Sequence, residues 1–143
     1  MQIQWLVFAL LSAITASLVA IFGKIGLSGV DTNTATAIIA VIMAVFLIGV
    51  VAIEGKLANI PSVVANHKAL FYIVLSGVAG ALSWLFYFIA LKGAKVSQVV
   101  PIDRLSIVFA LFFAYFLLGE SISFKTAVGS ALMVVGAVLV ALG

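Results

Sequence analysis

The stretch VSQVVPIDRLSIVFALFFAYFLLGE, from Val96 to Glu120, decides what kind of fold this chain can adopt. It is apolar enough to cross a bilayer, which takes about 20 apolar residues in a helix. Near one end, however, it carries Pro101 and the adjacent charges Asp103 and Arg104. A charged side chain costs about 2.5–3.5 kcal/mol or more at the centre of a bilayer and less towards an interface. Either the two charges neutralise each other at the membrane edge, or they face a polar cavity and take part in moving a solute.

The composition places the whole chain in a membrane. Of its 143 residues, 66% are hydrophobic and 8% are charged, whereas soluble domains average about 45–50% apolar and about 25% charged residues. Lipid can cover this much apolar surface, and a soluble core of this size cannot. The seven basic residues are widely spaced, so they suit membrane-interface anchors better than a nucleic-acid-binding face, which needs clustered charge. We therefore expect an all-α integral membrane protein surrounded by a lipid bilayer.

Several kinds of chemistry lack the residues that they need. The chain has no cysteine, and His67 is its one histidine, while a metal site needs several ligands. Acid–base catalysis inside the membrane would need a second carboxylate there, and no phosphate-binding loop is present. We therefore expect no cofactor, no metal site and no enzymatic activity. The first apolar segment lacks a basic leader and is followed by Lys24, so we expect it to stay as a membrane helix.

Apolar segments separated by polar connectors predict five transmembrane helices in a single domain, residues 1–143. The connector Lys92–Lys95 is so short that the third and fourth helices should be antiparallel neighbours. In the longest connector, Pro61 and Ser62 suit the start of a short interfacial helix. The predicted helices cover approximately residues 3–23, 34–53, 69–91, 96–118 and 124–142.

Two features beside the fourth helix have an ordinary and a functional interpretation. Trp84, Tyr87 and Phe88 share one face of the third helix by their spacing. Such a stripe usually serves packing, but the charged end of the fourth helix follows closely in sequence, so Trp84 and Tyr87 are also candidates for lining a cavity. Lys24 ends the first helix, either as an interface anchor or as a charge at a cavity mouth.

Three runs in the second half of the chain resemble the EamA repeat of the drug/metabolite transporter superfamily. They are YFIALKGAKVSQVVPI (87–102), LLGE (117–120) and VGSALMVVGAVLV (128–140). The repeat has an alanine–leucine pair ending its third helix, a proline in the fourth, Gly-Glu at the end of the fourth, and spaced glycines in the fifth. The residues at those positions here are Ala90, Leu91, Pro101, Gly119, Glu120, Gly129 and Gly136.

The resemblance implies a transport function and a partner. Members of the superfamily commonly contain two five-helix repeats in opposite orientations, whereas this chain has one. Transporters built from inverted repeats hold the substrate near the midplane between the halves. We therefore expect a secondary transporter of small metabolites or drug-like compounds in the cell (inner or plasma) membrane, working by alternating access as an antiparallel homodimer. The alternative is a structural or regulatory membrane subunit without transport activity.

The basic residues of the connectors test the antiparallel arrangement independently, because Lys and Arg in short loops set membrane orientation. Lys24, Lys92 and Lys95 fall on one side of the predicted membrane. The opposite side carries Lys56, Lys68 and Lys125. The tie predicts dual topology, in which copies insert both ways.

The fourth helix contains the chemistry that a transport site needs. Pro101 has no N–H to donate to the carbonyl of Ser97, and free backbone at membrane depth is tolerated inside protein or beside a water-filled cavity. In a continuous helix the Asp103 side runs on through Ser106, and Arg104 can snorkel back to the interface. Asp103 either belongs to a structural polar cluster or binds a cationic group or a proton, with Arg104 offering a bidentate site to an anionic group.

Glu120 lies at a helix C-terminus, where a negative charge is mildly unfavourable. We expect it to act as a structural lock, with Lys125 or a helix N-terminus as its partner. The spaced glycines Gly129 and Gly136 suit close packing against another helix.

Overall fold

A computed structural model of the chain describes residues 3–143, and these residues form helices and connecting turns without any β-strand. Five helical spans within this range are long and apolar enough to cross a membrane, which confirms the predicted fold class. Four of them are α1 (Gln4–Gly26), α2 (Thr32–Ile53), α4 (His67–Gly93) and α7 (Phe124–Leu142). The fourth span, Val96–Leu118, consists of α5 (Val96–Asp103), α6 (Ser106–Phe113) and a π-helical turn (Ala114–Leu118).

The ends of the helices follow from local hydrogen bonds. The carboxylate of Asp31 accepts from the backbone N–H of Thr34 at 2.8 Å, so Asp31 caps α2, which begins at Thr32. Hydrogen bonding from the side chain and then the backbone of Thr34 lowers the pKa of Asp31 below its usual value. Pro61 lies in the first turn of the short helix α3 (Ile60–Ala65), which follows a 3-10 turn at Leu57–Asn59. The hydroxyl of Ser123 caps α7 by accepting from the N–H of Thr126 at 3.1 Å.

Most large apolar side chains are exposed on the isolated chain, as lipid-facing residues would be. Phe8 is 70% exposed and Phe116 is 65% exposed. In water each such side chain would forgo about 1.5–3 kcal/mol of burial free energy, whereas hydrocarbon provides an apolar environment for it. The buried apolar side chains among the described residues are Ala20, Leu27, Phe88 and Leu91.

The chain divides into two compact units. The first unit comprises residues 3–24 and Gly93–Gly143, and it contains the fourth and fifth spans. Within it α5 packs against α7, and the side-chain N–H of Gln98 donates to the carbonyl of Ala141 at 3.4 Å. The second unit, Ile25–Lys92, contains α2, α3 and nearly all of α4. The ammonium of Lys92 there donates to the carbonyl of Val30 at 2.8 Å, which brings the end of α4 to the start of α2.

Candidate functional site

The fourth span is interrupted immediately after Asp103. Pro101 lies inside α5, and the chain turns at residues 104–105 before α6 begins at Ser106. Several amides of this region donate to carbonyls three residues back, and the N–H of Arg104 is shared between the carbonyl of Pro101 at 3.1 Å and that of Val100, four residues back, at 3.3 Å. Leu105 N–H donates to the Ile102 carbonyl at 2.9 Å, and Ile107 N–H donates to the Arg104 carbonyl at 3.2 Å.

The predicted span Val96–Leu118 thus contains one short turn of this kind. Arg104 and Leu105 keep right-handed helical dihedral angles, and bonding three residues back eclipses side chains three apart, so the turn does not separate Asp103 from Ser106. A hydropathy pattern could not reveal the turn, because a broken and an unbroken span need the same apolar residues. Ser97 remains inside α5, one turn before Pro101, so its carbonyl still faces a residue without an N–H.

The side chains of Asp103, Arg104 and Ser106 are all exposed on the isolated chain. A salt bridge joins Lys56 and Glu54, whose Nζ and Oε2 atoms are 2.6 Å apart. Asp103 and Arg104 form no salt bridge with each other on the isolated chain. Asp103 is the last residue of α5, at the end where the helix dipole is negative and favours a cation nearby.

Lys24 contacts the turn that precedes the fourth span. Its ammonium donates to the carbonyl of Ala94 at 2.8 Å, and the pair is partly buried. In the same turn the side-chain oxygen of Gln98 accepts from the N–H of Lys95 at 3.3 Å. Lys24 therefore holds the end of α1 against the start of α5. Gln98, which sequence reasoning did not single out, joins that start to the end of α7.

The aromatic candidates belong to the second unit and surround Phe88. Trp84 and Tyr87 each contact the Phe88 ring edge-to-face, with ring centroids 5.5 Å apart in both pairs. Phe88 is fully buried. The shared face expected from the spacing is therefore present, and Phe88 is its centre.

A groove of about 550 Å³ lies between α2 and α4 in the second unit. One wall comes from residues 33–47 of α2 and the other from residues 77–85 of α4. Trp84 lines the groove, whereas Tyr87 is not among its lining residues. The candidates thus form two groups: Ser97, Pro101, Asp103, Arg104 and Ser106 along the fourth span of the first unit, and Trp84 and Tyr87 in the second.

Sequence comparison links this arrangement to known proteins. The profile of the EamA-like transporter family matches residues 3–142. The chain belongs to this family. A protein of Sinorhizobium sp. named "Uncharacterized transporter in cobO 3'region" is 38% identical over 141 residues, which is 99% of both chains. No solved structure matches the EamA-like chain.

The Gly-Glu pair of this EamA-like chain ends its fourth span through the backbone. Gly119 has a φ of +68°, in the left-handed region that favours glycine. The N–H of Gly119 donates to the carbonyl of Ala114, five residues back, and closes the π-helical turn. The N–H of Glu120 donates to the same carbonyl at 3.2 Å. The side chain of Glu120 makes no ion pair with Lys125 or any other described residue. Within the described residues the motif therefore ends the span through main-chain atoms, and the ion pair expected between Glu120 and Lys125 is not formed.

The glycines of the fifth span have open space around them. A Cβ built on Gly129 or Gly136 would meet no atom within 4 Å. No contact among the described residues therefore requires glycine at these positions, and the small face that they form on α7 is open to a neighbouring helix.

Proposed function

We propose that this chain is a secondary transporter of small metabolites or drug-like compounds across the cell membrane, acting as an antiparallel homodimer by alternating access. The interruption of the fourth span directly after Asp103 carries this proposal. Irregular backbone at membrane depth is stable where it is buried in protein or lines a water-filled cavity. Secondary transporters commonly place substrate and ion sites at irregularities of their membrane-spanning helices, and the turn beside Asp103 is a short irregularity whose backbone N–H groups stay hydrogen-bonded.

In this proposal the exposed charges at the interruption provide the binding chemistry. Asp103 binds a proton or a cationic group, favoured by the negative end of α5. Arg104 presents a planar guanidinium, which suits a carboxylate or phosphate. The Ser97 carbonyl and the Ser106 hydroxyl supply neutral hydrogen-bonding groups on either side of the turn.

The antiparallel second copy of the chain is inferred from the presence of a single five-helix repeat. A five-helix chain leaves the polar turn of its fourth span exposed, and a copy in the opposite orientation would enclose it near the midplane. The equal division of the connector lysines permits both orientations. The transporter name of the Sinorhizobium protein, which matches this chain end to end, also supports a transport function.

Flux in reconstituted vesicles tests the proposal. Compounds that raise the unfolding temperature of the purified protein would be radiolabelled and offered to proteoliposomes, with empty vesicles as the control. We expect saturable uptake that an excess of unlabelled compound suppresses. If every stabilising compound fails to cross, the alternative of a structural or regulatory membrane subunit is correct.

A further inference from the structure

The groove between α2 and α4 has walls of unusually small residues. Ala37, Ala40 and Ala44 of α2 face Gly77 and Gly80 of α4 across it. A Cβ added to Gly77 or Gly80 would meet no atom within 4 Å. These glycines therefore do not bring the two helices into contact; they leave space between them. Its volume of about 550 Å³ falls within the range of about 300–1,000 Å³ typical of small-molecule sites.

The polar groups of the groove are gathered at one end. Lys92 bonds to Val30 and so brings the C-terminal end of α4 to the N-terminal end of α2. Asn33 and Thr36 of α2 therefore share an end of the groove with Trp84 of α4. The opposite end is lined by Met43, Ala44, Leu47 and Gly77.

Two of the polar side chains have no hydrogen bond within residues 3–143: the amide of Asn33 and the indole N–H of Trp84. The hydroxyl of Thr36 donates to the Thr32 carbonyl at 2.7 Å and retains its capacity to accept. This end thus offers donors and acceptors to a polar head. The remaining length of the groove, from Thr36 to Leu47, offers only apolar contact over about 16 Å, from a rise of about 1.5 Å per residue.

No lining residue is charged. Placing an unpaired charge against such walls is costly, because no counter-charge replaces its hydration. A phospholipid matches the groove poorly, because its head is charged and it has two hydrocarbon chains instead of one. A ligand with one uncharged hydrogen-bonding head and one hydrocarbon body matches both the polar end and the apolar end of the groove.

We propose that the groove between α2 and α4 binds an uncharged small amphiphile, its head at Asn33, Thr36 and Trp84 and its apolar body along the alanine and glycine walls. The assignment goes beyond the proposed function, because it adds a ligand site in the second unit to the charged turn of the fourth span.

Fluorescence quenching of Trp84 tests the assignment. The chain has two tryptophans, so Trp5→Phe leaves Trp84 as its sole tryptophan, which can be excited selectively over the three tyrosines. The protein, in lipid nanodiscs, would be titrated with three probes that share a bromophenyl head and a dodecyl chain. One probe carries a neutral amide, one a quaternary ammonium and one a carboxylate. We expect saturable quenching by the amide and at least a tenfold weaker response to the other two.

A matched pair of glycine variants locates the binding. Gly80→Leu fills the groove, and Gly49→Leu makes the same change on α2 outside it, where a Cβ also meets no atom within 4 Å. Gly80→Leu should weaken quenching by the amide at least tenfold, and Gly49→Leu should leave it unchanged. If Gly80→Leu does not fold, as judged by circular dichroism and gel filtration, Ala40→Leu gives the same test from the other wall.

Three results would overturn the assignment. They are an absence of saturable quenching, quenching that survives Gly80→Leu or Ala40→Leu, and equal binding of a charged probe. Nanodiscs of brominated phosphatidylcholine form a further arm, because strong quenching of Trp84 by the bilayer itself would make lipid the occupant. Quenching without flux would contradict the proposed transport function but would support the binding site in the groove. Flux without quenching would support transport and would contradict the binding site.

Discussion

At the scale of single residues, Gly119 is the clearest case of a backbone requirement. Its left-handed conformation costs a residue with a Cβ about 1–2 kcal/mol, and nothing within 4 Å would add a steric contribution. We therefore expect Gly119→Ala to lower the free energy of unfolding by about 1–2 kcal/mol, measured by reversible unfolding in mixed micelles. Gly129→Ala is the control, because its helical site should gain about 0.5–1 kcal/mol instead. Equal effects of the two changes would show that the turn does not require glycine.

Asp103 carries the second prediction at this scale. Asp103→Asn keeps the size of the side chain and removes its charge, so we expect flux to fall to the level of empty vesicles while cross-linking still detects the dimer. Asp31→Asn makes the same change outside the spans, at the cap of α2, and should keep its flux. Normal transport by Asp103→Asn would exclude a role for this carboxylate in coupling or binding.

At the scale of helices and their connections, Lys24 distinguishes packing from transport. Its hydrogen bond to the Ala94 carbonyl joins α1 to the turn before α5, and bonds to charged groups contribute about 1.5–3 kcal/mol. Lys24→Met should therefore lower the unfolding temperature, whereas Lys68→Met, at an exposed lysine, should not. If Lys24→Met instead abolishes flux at an unchanged unfolding temperature, Lys24 acts at a cavity mouth.

The helices also show what sequence could and could not predict. Composition and segment length were sufficient for the five spans, because every backbone group in lipid must be satisfied within a helix. The turn at residues 104–105 left no trace in the pattern, since i→i+3 and i→i+4 bonding need no different side chains there. The groove was missed for another reason. Its alanines at 37, 40 and 44 have the spacing of a close-packing face, but only the pairing of α2 with α4 shows that the space between them stays open.

At the scale of the whole molecule, orientation in the membrane is the decisive property. The lysines of the two sides are balanced three against three, so removing one should shift the population of orientations. We expect Lys95→Gln and Lys68→Gln to shift it in opposite directions, with the wild-type chain showing both orientations. Because the chain has no cysteine, one cysteine added after Gly143 reports orientation by its reaction with an impermeant maleimide.

A single orientation of the wild-type chain would contradict the antiparallel homodimer. It would leave a parallel dimer or an oppositely inserted partner protein. The order of the motif residues was enough to predict family membership. The number of copies in the assembly could be predicted only indirectly, from the distribution of basic residues between the two sides of the membrane.

The π-helical turn at Ala114–Leu118 has a consequence for where the fourth span can lose a residue by deletion. A π turn contains one residue more than the α-helical turn that it replaces, so the fourth span holds a surplus residue just before Gly119. Deleting that residue would restore regular winding and leave the register of α5 and α6 untouched. Elsewhere in the span a deletion would rotate every later side chain by about 100°, the angle per residue that follows from 3.6 residues per turn.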